Sequence, residues 1–279
     1  MQILKRIKYI YFKYGFITGG KKLFSYLVKF FYYNIWKLSP FKFCISLYGV
    51  FITKNFYGSH SNSFKYSLIG QYGKFFSNFL KKQKEASIFI DVGANLGIYS
   101  LVALKNPFFT KIFSFEPQRI PFDDLTENIQ RNSGNNKCIP IKYGISHQSK
   151  KSFLRIDNFD TAKSQLKVTI DGETLPKSNF RKSYIWEDIE LIGNEELSNL
   201  LDLDLSEKIG VKIDTEGHEF FVLKGLINTN FWQNICWIFI EFSKKANHQR
   251  VLDIMDDEGF KIIEKIGDGG HYDLLFKKL

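Results

Sequence analysis

Residues 87–100 read SIFIDVGANLGIYS: an apolar run (Ile88, Phe89, Ile90) ends in Asp91, and a loop carrying Gly93, Asn95 and Gly97 leads to a helix-like segment, Ile98–Lys105. Strand, glycine turn and helix in that order build a pocket for a nucleotide-containing cofactor, because glycine admits backbone angles and close approaches that a side chain would block. Twenty-five positions beyond Asp91, Glu116 closes a second strand-like run, KIFSFEP (Lys111–Pro117). A carboxylate at the end of a second strand can accept hydrogen bonds from both hydroxyls of a ribose. A third run, VKIDTEGHEFFVLKG (Val211–Gly225), places Asp214 at a strand end. Glu216, Gly217, His218 and Glu219 follow, in a loop opening into a short helix.

The acids bear on which cofactor fits. A dinucleotide sets its pyrophosphate against such a loop and calls for Gly-x-Gly-x-x-Gly, whereas here Asn95 and Ile98 stand at the second and third glycine positions. A carboxylate at Asp91 would repel a pyrophosphate but attract S-adenosylmethionine (SAM), which carries an ammonium and a sulfonium. Ligands of open α/β sheets bind beyond the carboxyl ends of the strands, so Asp91, Glu116 and Asp214 are expected on one rim facing one cavity with His218.

The elements that must position these residues follow from periodicity. Strands are expected at Ile88–Asp91, Lys111–Glu116, Cys138–Tyr143, Gly210–Asp214 and Trp237–Phe242, alternating with helices at Ile98–Lys105, Phe122–Asn132, Glu219–Lys224 and Gln249–Glu258. Such alternation argues for a parallel sheet with helices on both faces. Phe260–Ile266 and Tyr272–Phe276 flank Gly-Asp-Gly-Gly (267–270) and read as a C-terminal hairpin. Phe64–Lys84 reads as one helix leading into the first strand. Residues 157–205 read as a less regular insertion over the acceptor site, with a small hairpin at Thr169–Thr174 and two aromatics, Tyr184 and Trp186, that could stack on a sugar.

The order DVGANLG, FEP, KIDTEGHE resembles the FkbM family of SAM-dependent methyltransferases over roughly Phe79–Leu279, most distinctively in Lys212, Asp214, Glu216 and Gly217. The resemblance implies a class I methyltransferase fold: an α/β, Rossmann-like, mostly parallel seven-stranded sheet ending in an antiparallel hairpin. It also implies O-methyl transfer, often to sugar hydroxyls of glycans or glycosylated metabolites. The expected cofactor residues are Asp91, Gly93, Asn95, Gly97, Glu116 and Asp214. A sugar hydroxyl needs a base within hydrogen-bond reach. His218, with its ordinary affinity for protons near neutrality, is the first candidate, and Glu216 and Asp214 are its rivals. Lys212 and Glu241 are candidates for contact with the substrate, Lys212 also for pairing with an acid. Asp214, Glu216 and Glu241 could hold Mg²⁺ through oxygen ligands, although the spacing does not favour a metal.

No Asn-Pro-Pro-aromatic segment follows the fourth strand and no cysteine lies there, which argues against amino methylation of bases and against a covalent route to ring carbons. The alternatives to a sugar acceptor are an RNA or small-metabolite methyltransferase, or a non-catalytic peripheral membrane protein on the same fold.

Composition separates the chain into unequal parts. The first 84 of 279 residues hold 15 Lys and Arg and no Asp or Glu, whereas the remainder holds 24 basic residues against 29 acids. Residues 3–14 carry apolar residues at helical spacing among lysines, and Phe24–Trp36 is rich in aromatics, as in helices that lie in a membrane interface. No uncharged apolar run reaches the roughly 18 residues of a membrane span. The expected division is a basic helical extension over 1–57, suited to an anionic membrane surface, and a methyltransferase domain over 58–279. Nucleic acid is disfavoured because the extension is so apolar. Three widely spaced cysteines (Cys44, Cys138, Cys236) point to a reducing, cytoplasmic setting, peripheral at the inner face of the membrane.

Overall fold

The computed structural model describes residues 9, 13, 16–54, 62–134, 136–157, 165–166, 184–242, 247–268 and 271–278. The expected amphipathic helix at residues 3–14, apart from Tyr9 and Lys13, and the expected hairpin at Thr169–Thr174 lie outside them.

In chain order, the described elements begin with α1 (Phe16–Leu38), a hairpin of β1 (Phe43–Ile45) and β2 (Phe51–Thr53), α2 (Asn62–Leu68) and α3 (Lys74–Lys82). The alternating unit follows: β3 (Ile88–Val92), α4 (Ile98–Leu104), β4 (Lys111–Phe115), α5 (Arg119–Arg131) and β5 (Cys138–Ile141). A smaller sheet comes next, from β6 (Gly144–Ile145), β7 (Lys150–Asp157), β8 (Gln165–Leu166) and β9 (Tyr184–Ile192), then α6 (Asn194–Leu201). The chain closes with β10 (Ile209–Ile213), α7 (Glu219–Ile227), β11 (Ile235–Phe242), α8 (His248–Asp257), β12 (Phe260–Asp268) and β13 (His271–Lys278).

The main sheet has seven strands in the order β12-β13-β11-β10-β3-β4-β5. β3, β4, β5, β10 and β11 run parallel, and β13 inserts antiparallel between β11 and β12. This is the class I methyltransferase arrangement. The central strands are mostly apolar because helices cover both faces of a parallel sheet, and their few buried polar residues, Asp91, Ser114 and Lys212, lie near the carboxyl ends. Their alternation divides the core: Ile88, Ile90 and Val92 pack on one face with Val211 and Ile240. Phe89, Trp237 and Phe239 pack on the other. Gly210 makes room there, since a Cβ would sit 1.8 Å from the Trp237 indole.

Phe76 of α3 stacks on Phe239 at a centroid distance of 4.0 Å, so the segment before β3 is built into the second core. The β1–β2 hairpin is as well. Cys44, Val50 and Ile52 are buried in that cluster, and Asn128 of α5 accepts a hydrogen bond from the Thr53 N–H at 2.7 Å. Residues 43–53, expected within a helical extension, are therefore a hairpin sharing the core of the sheet.

Two further expectations change. The single helix over Phe64–Lys84 is two, α2 and α3, broken where Gly70 and Gly73 take φ of 63° and 45°. The stretch expected as an irregular insertion holds a nine-residue strand, β9, paired antiparallel along the whole of β7 from Lys150↔Leu191 to Asp157↔Tyr184, followed by α6. Leu197 and Leu201 anchor α6 in the first core cluster.

Candidate functional site

Parallel neighbours β3, β4 and β10 are in register, so Asp91 lies beside Ser114 on one side and Lys212 on the other. The Lys212 ammonium is buried, 3.2 Å from Asp91 Oδ1 and 3.5 Å from Asp214 Oδ2. It donates to the Gly93 carbonyl at 2.7 Å. Burial alone would lower its proton affinity, but Asp91, Asp214 and Glu241 outweigh that and hold it above the ordinary lysine value. Asp91 is fully enclosed: Ser100 donates to Oδ2 at 2.6 Å and the ammonium faces Oδ1. Expected as a cofactor contact, Asp91 has no surface to offer one; it holds Lys212 beneath the loop.

The loop is tightly fixed. Gly93 has φ 76°, and a Cβ there would lie 1.9 Å from the Asp214 backbone carbonyl. Asn95 also takes a left-handed φ of 51°. Its N–H donates to Glu116 Oε2 at 2.8 Å, and the Gln118 N–H donates to Oε1 at 2.9 Å. Burial pushes the Glu116 carboxyl up to about 7, against those two N–H groups and Lys212, which stabilise its ionised form. Beside it, Gln118 Nε2 is a buried donor with no hydrogen-bond partner.

A cleft opens along this loop, lined by Tyr72, Gly93, Asn95, Leu96, Tyr99 and Lys212. Tyr72 comes from the turn between α2 and α3, with its ring 5.5 Å from that of Tyr99. Asp214 gathers two more acids. Its charge, then burial, then Asp273 push Glu241 up to about 9. Burial first, then Asp214, push Asp273 up to about 7. Glu241 and Asp273 are direct partners across β11 and β13.

The loop after β10 is tied by Glu219, whose Oε1 accepts from the Gly217 N–H at 2.8 Å and from the Thr215 N–H and hydroxyl at 3.3 Å. This is a carboxylate fastening the entry to α7, and it sets Glu216 at φ 52° on the loop. His218 departs from expectation. It is buried, with Nε2 3.2 Å from Ser146 Oγ and its ring 5.0 Å from that of Phe221. Burial, with Lys150 and His147 adding to it, lowers its pKa to about 3. The side chain is part of the wall between α7 and β6, and its basicity is far from the neutral range expected of it.

The structure thus brings together Lys212, Asp214, Glu241 and the loop of Gly93, Asn95 and Gly97 with Glu116 at its edge, and sets Asp91 behind them. Among the described residues, no group of three or more His, Cys, Asp or Glu is arranged to hold a metal ion. Sequence reasoning missed Tyr72, Gln118 and Asp273. Gln118 follows Glu116 by two positions and was within reach. Tyr72 and Asp273 lie far along the chain, with no local pattern to mark them.

A SAM molecule fits the chemistry of these groups: a buried carboxylate at the end of β4 for vicinal hydroxyls, an unpartnered amide donor beside it, and an acid-rich rim for a cationic centre. Residues 91–262 match the family described as the methyltransferase FkbM domain. Among curated proteins, the hexuronic acid methyltransferase AglP of Haloferax volcanii is 28% identical over 178 residues, covering 64% of this chain and 65% of that protein. The chain therefore spans just under two thirds of that relative's length. The methyltransferase sdnD of Sordaria araneosa is 24% identical over 193 residues, covering 62% of this chain and 73% of that one. Among solved structures, the ribosomal protein L11 methylase of Lactobacillus delbrueckii subsp. bulgaricus superposes with a TM-score of 0.42 at 12% identity, covering 75% of this chain and 80% of that one.

Proposed function

The chain belongs to the FkbM methyltransferase family, and from that premise we propose that it transfers a methyl group from SAM to a sugar hydroxyl in a glycan or glycolipid. The observation that carries this reading is the array Asp91–Lys212–Asp214 beneath the glycine loop that lines the cleft, with Glu116 bonded to that loop through the Asn95 N–H and with Glu241 and Asp273 coupled in charge to Asp214. The relative named for hexuronic acid methylation supports a sugar acceptor.

Bound SAM would supply a sulfonium-activated methyl group, whose S–C bond breaks as the acceptor's O–C bond forms. Glu116 would accept both ribose hydroxyls while keeping its bonds from the Asn95 and Gln118 N–H groups. Asp214, held beside Lys212, would face the cationic portion of the cofactor and the reacting hydroxyl. Glu216, on the loop, would contact the acceptor. Asp273, raised to about 7 and so partly ionised near neutrality, would be better suited than His218 to take the hydroxyl proton, whereas Glu241, raised to about 9, already holds a proton there. Holding the hydroxyl in line with the methyl supplies much of the remaining rate.

The test is transfer itself. Purified protein, SAM and a panel of uronic-acid and neutral glycans should yield S-adenosylhomocysteine and a glycan heavier by one methylene unit by mass spectrometry. Turnover confined to RNA or to amino acceptors would contradict the reading.

A further inference from the structure

We infer that α1, with Phe41 after it, docks this protein onto an anionic lipid bilayer, lying in the plane of the headgroups. This goes beyond the chemistry of the cleft and does not depend on it.

The observation is a stripe. Phe24, Val28, Phe31, Ile35 and Leu38 repeat at intervals of four, three, four and three residues, which places them on one side of α1. All five are exposed, from 44% at Val28 to 83% at Leu38, and Phe41 beyond the helix is 65% exposed. Another side of the helix is already in use: Tyr32, Tyr33 and Trp36 pack against the second core cluster, and the Tyr32 hydroxyl donates to the Ile45 carbonyl of the hairpin. Single exposed apolar residues are ordinary on a protein surface; a periodic row with two phenylalanines among five members is a surface that meets something apolar.

Charge selects the occupant. Lys21, Lys22, Lys29 and Lys37 lie in the same helix, and no acid occurs anywhere in the first 84 residues. Two copies packed stripe to stripe would bring together two N-terminal parts, each with fifteen basic residues and no acid among its first 84 residues to offset them. An anionic bilayer supplies both an apolar layer for the stripe and negative headgroups for Lys21, three positions before Phe24 on the same side of the helix, and for the basic excess of the surrounding chain. A nucleic acid would satisfy the lysines and leave the phenylalanines in water. No described helix is long and apolar enough to cross a membrane, so α1 lies on the bilayer.

The docking helix is connected to the cleft by direct contacts. α1 holds the hairpin through Tyr32. In the hairpin turn, the Leu47 N–H donates to the Leu68 carbonyl at 2.8 Å, Ser46 Oγ donates to the Ser67 carbonyl, and the Tyr48 hydroxyl donates to the Tyr72 carbonyl. Tyr72 and Ser67 line the cleft. A bilayer-bound α1 would thereby hold the cleft at a fixed distance from the lipid surface, where lipid-linked acceptors reside.

The experiment is co-sedimentation of the full chain with phosphatidylcholine vesicles, with and without phosphatidylglycerol, across a salt series. Wild type should pellet with the anionic vesicles and be released by salt. The triple variant Phe24→Ser/Phe31→Ser/Ile35→Ser, altered only at exposed positions, should lose about tenfold or more in partitioning. Lys21→Gln/Lys29→Gln/Lys37→Gln should lose the preference for anionic lipid. SAM titration of both variants checks that the cleft is intact, so a failed cofactor assignment registers separately from failed docking. The inference is overturned if wild type stays in the supernatant, if the serine variant pellets as wild type does, or if light scattering shows a dimer that the serine variant turns into a monomer.

Discussion

At Lys212, burial and charge oppose each other, and charge wins. An ammonium sealed among Phe- and Ile-rich strands would lose its proton were it alone; Asp91 and Asp214 at 3.2 and 3.5 Å keep it charged. Asp91, its partner, is equally enclosed. Removing one partner of such a pair strands the other's charge, so Lys212→Met should destabilise the fold by about 3–5 kcal/mol. Asp91→Asn/Lys212→Met, which removes both charges, should recover much of that loss. Urea unfolding of wild type and these two variants measures it, and a loss under about 1 kcal/mol in the single Lys212 variant would mean the pair does not organise the loop. Glu116 and Asp214 were legible in the sequence because each directly follows an apolar run, and Lys212, set inside its run, as a partner for a neighbouring acid. It could not reveal that His218 turns toward Ser146, because a histidine's proton affinity depends on burial contributed by β6, more than seventy residues earlier.

At the scale of elements, the site is a meeting of strand ends. Asp214 follows β10, Glu241 lies in β11 and Asp273 in β13, and their mutual repulsion exists only once the three strands are side by side. Glu116 and Asp273 are raised to about 7 and Glu241 to about 9. A raised carboxyl lets the folded protein keep a proton the unfolded chain has lost, so its contribution to stability is lost as pH rises through the folded value. His218 acts in the opposite sense: its depressed value costs stability as pH falls from its ordinary 6.5 towards 3. Between their ordinary values and about pH 7 the three carboxyls outweigh the one histidine, so the thermal midpoint should already fall as pH rises from about 5; from about pH 7 to about pH 9 the continuing decline belongs to Glu241, and Glu241→Gln should flatten it. A midpoint that holds level or climbs over that interval in wild type would contradict the cluster. Strands such as β3 and β10, apolar apart from Asp91 and Lys212, were readable from sequence, as was the C-terminal hairpin from its Gly-Asp-Gly-Gly turn. β9 was not, because its pairing with β7 is non-local and its acids (Glu187, Asp188, Glu190) mask the alternation of Ile189 and Leu191. The apolar spacing over Phe64–Lys84 suits one helix, and the break into α2 and α3 comes from Gly70 and Gly73, each at a positive φ.

The whole molecule joins a basic N-terminal part to an acidic remainder through buried polar contacts. Asn128 accepts from Thr53 and donates to the Leu96 carbonyl at 2.9 Å, so the hairpin and the cofactor loop are fastened to the same side chain. The fold class was legible because alternation alone specifies a parallel sheet. The place of residues 43–53 within the core was not, because nothing in a short run such as FCI announces what it will pack against. The central claim is that the cleft among these strand ends binds SAM. Calorimetric titration of wild type and Glu116→Ala with SAM, each checked for its thermal midpoint, tests it most directly. Saturable one-to-one binding by wild type, weakened about tenfold or more in a folded Glu116→Ala variant that has lost the ribose acceptor, is the predicted result. No heat of binding in wild type, or equal affinity in the two proteins, would contradict it.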